Sequence, residues 1–277
     1  MERVKPMEIG LVVWAEATAK ETLKQVADFG LRAIQLGVPP LLDCKAAAPD
    51  WKTAMNTSPV VITAAVCSYE GEDYSSLVSV HESVGFTTEK YRAERITRTK
   101  EVSEFARELG VDAVSCHIGF IPANRSEPLY TELVEVTRIL CEALATNKQN
   151  FVLETGQESA QVLLGFLADV GCSNLKVNFD PANMILYGSG DPLKALALLH
   201  RHVLSVHCKD GRSPVAGSGF LGQECALGDG EVDFPGFINL LKQISYSGPL
   251  AIEREEPNRA KKDADVRLAM ERLKQWS

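Results

Sequence analysis

The sequence predicts a closed (β/α)8 TIM barrel, with residues 1–277 forming one domain. Three observations carry that prediction. Strand-like and helix-like segments alternate from end to end through eight units, the pattern of parallel strands joined by helical crossovers. The length of 277 residues is close to the ~250 typical of this architecture. Polar side chains stand near the carboxyl ends of several apolar segments, where such barrels carry their sites. A doubly wound open sheet also fits the alternation, but eight units and so many polar strand ends favour closure.

EIGLVVW is the first strand, ending at Trp14, and residues 18–29 form an amphipathic helix that Gly30 stops. RAIQLGV is the second strand, followed by a Pro-, Ala- and Asp-rich loop with a short helix around Trp51. VVITAAVCSY is the third, bounded by Pro59 and by Glu70-Gly71. The polar stretch 70–88 is too long for an ordinary βα connection and is expected to be a lid or rim loop. A helix over 90–109 closes at Gly110. Its Arg92, Arg95 and Arg98 share one face and alternate with acidic residues, which predicts a solvated face.

DAVSCHIGF is the fourth strand, with a helix over 128–146 behind it. NFVLETG is the fifth, and the helix over 159–170 is stopped by Gly171. NLKVNFD is the sixth, with a helix over 192–200, and HVLSVHCKD is the seventh. The glycine-rich segment 211–230 contains GSG and GDG but lacks the spacing of a phosphate loop or a dinucleotide fingerprint, so a mobile rim loop is expected. DFPGFINLLKQI is a helix, GPLAIERE the eighth strand and 261–276 the last helix.

Composition narrows the function. A formal net charge of −8 argues against a surface built to neutralise nucleic-acid phosphates. No run of ~18 apolar residues predicts a membrane span, and the opening MERVKPMEIGLVVW lacks a signal-peptide pattern. Seven scattered cysteines without a CxxC pair are expected to be reduced thiols. A cytoplasmic protein with no nucleic-acid or membrane partner is predicted.

Four residues carry the chemistry: Glu154 in FVLETG, Asp180 in LKVNFDPAN, His207 in VLSVHCKD and Glu253 in PLAIERE. Each alone has an ordinary structural explanation. Glu154 could cap the next helix, Asp180 could shape an Asp-Pro turn, His207 could be a bonded core histidine, and Arg254 could satisfy Glu253. Together, on four adjacent strand ends, they would crowd three carboxylates at one rim. That arrangement repels unless a cation or protons intervene. The set therefore predicts one divalent metal ion. One imidazole with three carboxylates suits Mn²⁺ or Mg²⁺, with Co²⁺ as a further candidate, and no cysteine is needed. Cys208 should point away from His207 across the strand. His200 and His202 precede the seventh strand, at the opposite end of the barrel, and are expected at the surface.

The motifs LETG, NFDPANM, SVHCKD and AIERE, with LGDGEVDF between the last two, resemble those of the sugar isomerase/epimerase superfamily of xylose isomerase-like TIM barrels. The resemblance runs through most of the chain and is strongest from about Val114 onward. It implies that Glu154, Asp180, His207 and Glu253 bind the metal and that Glu154 and Glu253 are catalytic, moving protons on opposite faces of a small sugar. A divalent ion that polarises a ketose carbonyl makes the neighbouring proton removable through an enediolate. Return of the proton to the same carbon gives epimerisation, and return to the next carbon gives isomerisation. Loss of a β-hydroxyl gives dehydration, so an inosose-type dehydratase is the alternative reading. An endonuclease IV-like nuclease would need more than the five histidines present. A homo-oligomer is implied by resemblance.

Further residues are expected to contact substrate. His117, ending the fourth strand, fits the rim or a bond to a metal ligand. Lys209 alternates onto the same side as His207. Trp14 ends the first strand and could stack on a sugar face. The resemblance adds Glu158, in place of a second glutamate found after the metal-binding one at a longer spacing. It also adds Asn183, where many epimerases have a histidine, and Arg212, nearest to an arginine that follows the metal histidine.

Overall fold

The computed structural model describes residues 7–277. Its strands in chain order are β1 (Ile9–Trp14), β2 (Ala33–Val38), β3 (Val61–Cys67), β4 (Ala113–Cys116), β5 (Asn150–Glu154), β6 (Leu175–Phe179), β7 (Val203–Cys208), β8 (Asp210–Arg212), β9 (Gln223–Cys225) and β10 (Leu250–Ile252). β1 to β7 and β10 close into a barrel in the order β1-β10-β7-β6-β5-β4-β3-β2. Every neighbouring pair in it is parallel. This is the (β/α)8 TIM barrel that the alternation predicts.

The helices are α1 (Ala19–Asp28), α2 (Cys44–Met55), α3 (Leu77–Ser83), α4 (Glu89–Glu108), α5 (Pro128–Thr146), α6 (Ala160–Val170), α7 (Pro181–Tyr187), α8 (Pro192–Leu199), α9 (Phe234–Gln243) and α10 (Arg259–Trp276). Their ends follow local chemistry. Ser159 caps α6 by accepting from Val162 N, and Gly171 ends it at φ 70°. The larger hydrophobic core lies between strands and helices; Phe151 and Leu153 of β5 both belong to it. Alternation then turns Val152 inward, where it packs with Ala64 and Ala113. The same period of two carries Glu154 to the mouth above Val152.

Three connections differ from the sequence reading. The stretch 70–88 contains α3, whose first turn is capped by Ser76 accepting from Ser79 N at 3.0 Å. The segment 211–230 holds an antiparallel ribbon of β8 and β9. Asp210 anchors it by accepting from the backbone N–H groups of Gly211, Gly228, Gly230 and Val232 at 2.8–3.2 Å. α7, directly after Asp180, was not expected at all.

The arginine face of α4 is the fourth correction. Arg95 is only 2% exposed. It donates to Gly85 O and to Glu70 O and stacks on Tyr69 and Tyr91. Arg92 donates to Phe86 O at 2.7 Å and Arg98 to Pro39 O at 2.7 Å. The physical reason is a demand for donors: rim segments lie across this helix with carbonyls that no strand satisfies, and guanidinium forks supply them.

Candidate metal centre

Glu154 ends β5, Asp180 follows β6, His207 lies in β7 and Glu253 follows β10. One ligand atom from each lies within 4.8 Å of all the others. His207 Nδ1 is 2.9 Å from Glu253 Oε2, 3.4 Å from Glu154 Oε1 and 3.6 Å from Asp180 Oδ2. Yet His207 Nδ1, Asp180 Oδ2 and Glu253 Oε2 are all buried without a hydrogen-bond partner. These atoms lie close together without meeting hydrogen-bond geometry with one another. Buried polar atoms in this state demand a partner, and a divalent cation suits these donors.

Electrostatics agrees. Burial alone would lower the His207 pKa, but Glu253, Glu154 and Asp180 outweigh it and hold the imidazole well above its ordinary range. Burial would raise Glu253, yet Lys209 and His207 keep its carboxyl far below the usual range. Burial would likewise raise Glu154, but His117 and His207 hold it low. Asp180 goes the other way, because burial pushes its carboxyl up more than His207 and Lys209 pull it down. The cluster as a whole attracts positive charge to its centre.

Asp180 satisfies both readings that its sequence allows. Its Oδ1 caps α7 by accepting from Ala182 N and Asn183 N at 2.8 and 3.1 Å. Its Oδ2 is left for the centre. Thr155 ties two ligand segments together, accepting from Asp180 N at 2.8 Å and donating to Asp180 O at 3.1 Å.

A buried amide network orients the imidazole. His207 Nε2 lies 2.9 Å from Gln35 Oε1 and 3.0 Å from Asn178 Nδ2. Asn178 Oδ1 accepts from Ser205 at 2.6 Å and from Gln35 at 3.3 Å. His207 Nε2 therefore meets both an amide oxygen and an amide nitrogen, and these contacts fix the ring with Nδ1 facing the carboxylates. The register shifts between Ile34 and Gln35 and between Val177 and Asn178, and such irregularities re-aim side chains. Sequence reasoning missed Gln35, Asn178 and Thr155. The available signals were a lone amide in the apolar run AIQLGV, an asparagine two residues before Asp180, and a threonine beside Glu154.

Above the cluster opens a cavity of ≈430 Å³, lined by Trp14, His117, Glu154, Asn183, His207, Lys209 and Glu253 among others. Trp14 is 49% exposed; a Cβ on Gly37 would meet its indole at 2.6 Å, so glycine makes room for the ring beside β2. His117 Nε2 is 3.5 Å from Glu154 Oε1, and its Nδ1 is 3.2 Å from Gln157 Nε2. Asn183 donates to Glu154 Oε1 at 2.9 Å, so it holds a ligand as well as lining the cavity. Lys209 reaches Glu253 Oε2 at 3.4 Å and Glu255 Oε1 at 3.2 Å.

Two expected residues are elsewhere. Arg212 turns outward and donates to Asp229 O. Glu158 is buried with both carboxylate oxygens unpartnered, and burial pushes its pKa up to about 8. Neither lines the cavity. The cavity also includes Glu72, Tyr74, Phe220, Glu224 and Glu255, contributed by rim segments whose folding the sequence did not reveal. Cys208 packs in the outer core, away from His207. All seven cysteines are free, and among the described residues no helix is long and apolar enough to cross a membrane.

A closed parallel barrel with an imidazole and three carboxylates at its C-terminal mouth defines a TIM barrel with a candidate divalent-metal centre. The chain belongs to the family of xylose isomerase-like TIM barrels, which it matches over residues 23–276. It is 37% identical to a xylose isomerase domain protein from Planctomyces limnophilus of known structure, over 98% of this chain and 97% of that one, with a TM-score of 0.91. A D-allulose 3-epimerase from Methylomonas sp. shares the fold at 20% identity, with full coverage of both chains and a TM-score of 0.72. The uncharacterized protein MJ1311 of Methanocaldococcus jannaschii is 24% identical over 192 residues. That match covers 64% of this chain and 62% of MJ1311, less than two thirds of that relative's length.

Proposed function

We propose that this protein is a divalent-metal-dependent sugar isomerase or epimerase acting on a small ketose or related sugar. The observation that carries the reading is the pair Glu154 and Glu253. Both carboxylates line the cavity and approach His207 Nδ1, at 3.4 and 2.9 Å. They come from β5 and β10, the strands that flank β6 and β7 in the barrel. Glu154, Asp180, His207 and Glu253 would hold the ion. Bound there, a divalent ion would supply Lewis-acid polarisation of a substrate carbonyl.

The chain's own residues supply the proton chemistry. Glu253 is kept ionised by Lys209 and His207, so its carboxylate can accept a proton from the carbon next to the carbonyl. Glu154, steadied by Asn183, can take or return a proton on the other face. His117, beside Glu154 at 3.5 Å, gives that carboxylate a polar neighbour at the cavity wall. Trp14 offers an aromatic face for the sugar's C–H surface. The D-allulose 3-epimerase named above gives the type of reaction by analogy of fold. Mn²⁺ or Mg²⁺ is the proposed ion on donor chemistry.

The test is solvent exchange. The metal-loaded protein is incubated with free ketoses in D₂O, and deuterium on the carbon adjacent to the carbonyl is followed by NMR. Glu253→Gln is expected to slow exchange by roughly 10²–10⁴-fold. Exchange at the full rate in that variant would remove Glu253 from the chemistry, and no exchange with any ketose would defeat the proposal.

A further inference from the structure

We infer that the cavity selects an uncharged sugar and rejects its phosphate esters. The inference rests on the proposed sugar chemistry and specifies the substrate class of that same site. Besides Glu154 and Glu253, the lining includes Glu72, Glu224 and Glu255, and Asp180 lies buried within the ligand cluster. Three of these six carboxylates already exceed the charge of one divalent ion. Among the described residues, Lys209 is the only lysine or arginine in the lining. Its ammonium sits between Glu253 and Glu255, 3.4 and 3.2 Å away, so its charge is matched before substrate enters.

The groups that usually receive a phosphate are committed elsewhere. Arg254, next to the ligand Glu253, is paired with Glu224, Glu256 and Asp265 at 3.0, 3.3 and 2.9 Å. Arg212 points to the carbonyl of Asp229, away from the cavity. The backbone N–H groups of Ala182 and Asn183, in the first turn of α7, are taken by Asp180 Oδ1. No guanidinium fork lines the cavity among the described residues, and the start of α7 is already occupied. A phosphate entering it would meet carboxylates across a partly buried space, where like charges are poorly screened.

The same lining suits hydroxyl groups and C–H faces. Glu255 and Ser68 offer oxygen partners. Trp14 and Phe220 are 49% and 62% exposed and line the cavity with aromatic surface. An uncharged polyol needs acceptors and apolar faces and needs no cation.

The experiment is calorimetric titration of the Mn²⁺-loaded full chain with matched pairs: free ketoses, and the same ketoses esterified with phosphate at the terminal carbon remote from the carbonyl. Free sugars are expected to bind, with each ester at least tenfold weaker than its parent. Glu255→Gln removes one repelling charge and releases Lys209, so it is expected to narrow that gap several-fold. An ester that binds as tightly as its parent, a panel in which no free sugar binds, or a gap that Glu255→Gln leaves unchanged would overturn the inference. Deuterium exchange is scored separately on the same pairs. A free sugar that binds in preference to its ester without exchanging its proton would defeat the proton-transfer reading and leave the charge selection standing.

Discussion

Gln35 Oε1 and His207 Nε2 stand 2.9 Å apart inside the barrel, although 172 positions separate them in the chain. The contact steadies the ring with Nδ1 facing three carboxylates. An amide on β2 thus fixes the orientation of a β7 histidine across the barrel.

Replacing Gln35 with leucine is expected to weaken Mn²⁺ affinity by roughly 10–100-fold, the usual effect of losing a residue that orients a metal-binding histidine. Titration calorimetry of the variant measures it. Circular dichroism should show the barrel intact, with stability lowered by about 1–3 kcal/mol because Asn178 also loses a bond. Unchanged metal affinity would show that Asn178 alone orients the ring.

Asp180→Asn separates the two duties of that side chain. The amide oxygen still caps α7, while the charge facing the centre is gone. Metal-free stability should change by less than about 1 kcal/mol. Saturating Mn²⁺ should stabilise the parent chain by about 2.7 kcal/mol at a hundredfold excess over Kd, and the variant by far less. Chemical denaturation with and without metal reads both numbers. Equal metal stabilisation in the two proteins would exclude Asp180 as a ligand.

Glu158 gives a pH dependence of definite sign. Its carboxyl has a pKa of about 8 in the folded chain, against the ordinary value of 4.5, because burial penalises the charge. Below about pH 4.5 both states hold the proton and the residue is neutral in its effect. As pH rises towards 8, the unfolded chain releases the proton while the folded chain does not, so stability falls across that window. Glu158→Gln should therefore be more stable than the parent by roughly 3 kcal/mol at pH 7 and equal to it near pH 4. Denaturation of metal-free protein at the two pH values checks this, and a difference independent of pH would refute it.

Arg95→Ala should cost about 2–4 kcal/mol, since one buried and one part-buried carbonyl lose their donor and two aromatic rings lose a stacked cation. Hydrogen exchange should quicken in residues 70–88 before it does in the strands. Lysine at this position should rescue little, because one ammonium cannot span both carbonyls. Uniform loss of protection across the barrel would contradict a local clamp.

The four candidate ligands were legible because their signal is local. An apolar run of strand length that stops at a carboxylate or an imidazole identifies a strand end, and strand ends of a parallel barrel share a rim. Lys209 and Trp14 were legible for the same reason, since a period of two assigns each to the face of its strand. Asn183 came to notice by resemblance, but its bond to Glu154 did not.

The residues that support the ligands were not legible, and the reason is distance along the chain. Gln35, Asn178 and Ser205 are single polar residues in apolar runs, and they meet only in the closed barrel, beside register shifts in β2 and β6. Arg95 shows the opposite limit: its spacing matched a solvated face, but rim segments from 70 to 86 fold over it. Glu158 and Arg212 lie within a few residues of candidate ligands and still miss the cavity. Alternating hydrophobicity is a property of neighbouring residues, so it located the eight barrel strands and most of the helices behind them, and it set four candidate ligands at strand ends. Which lone pair is aimed, which loop covers which helix and which carboxylate is left buried depend on contacts between segments far apart in sequence, and those are decided by packing once the barrel has closed.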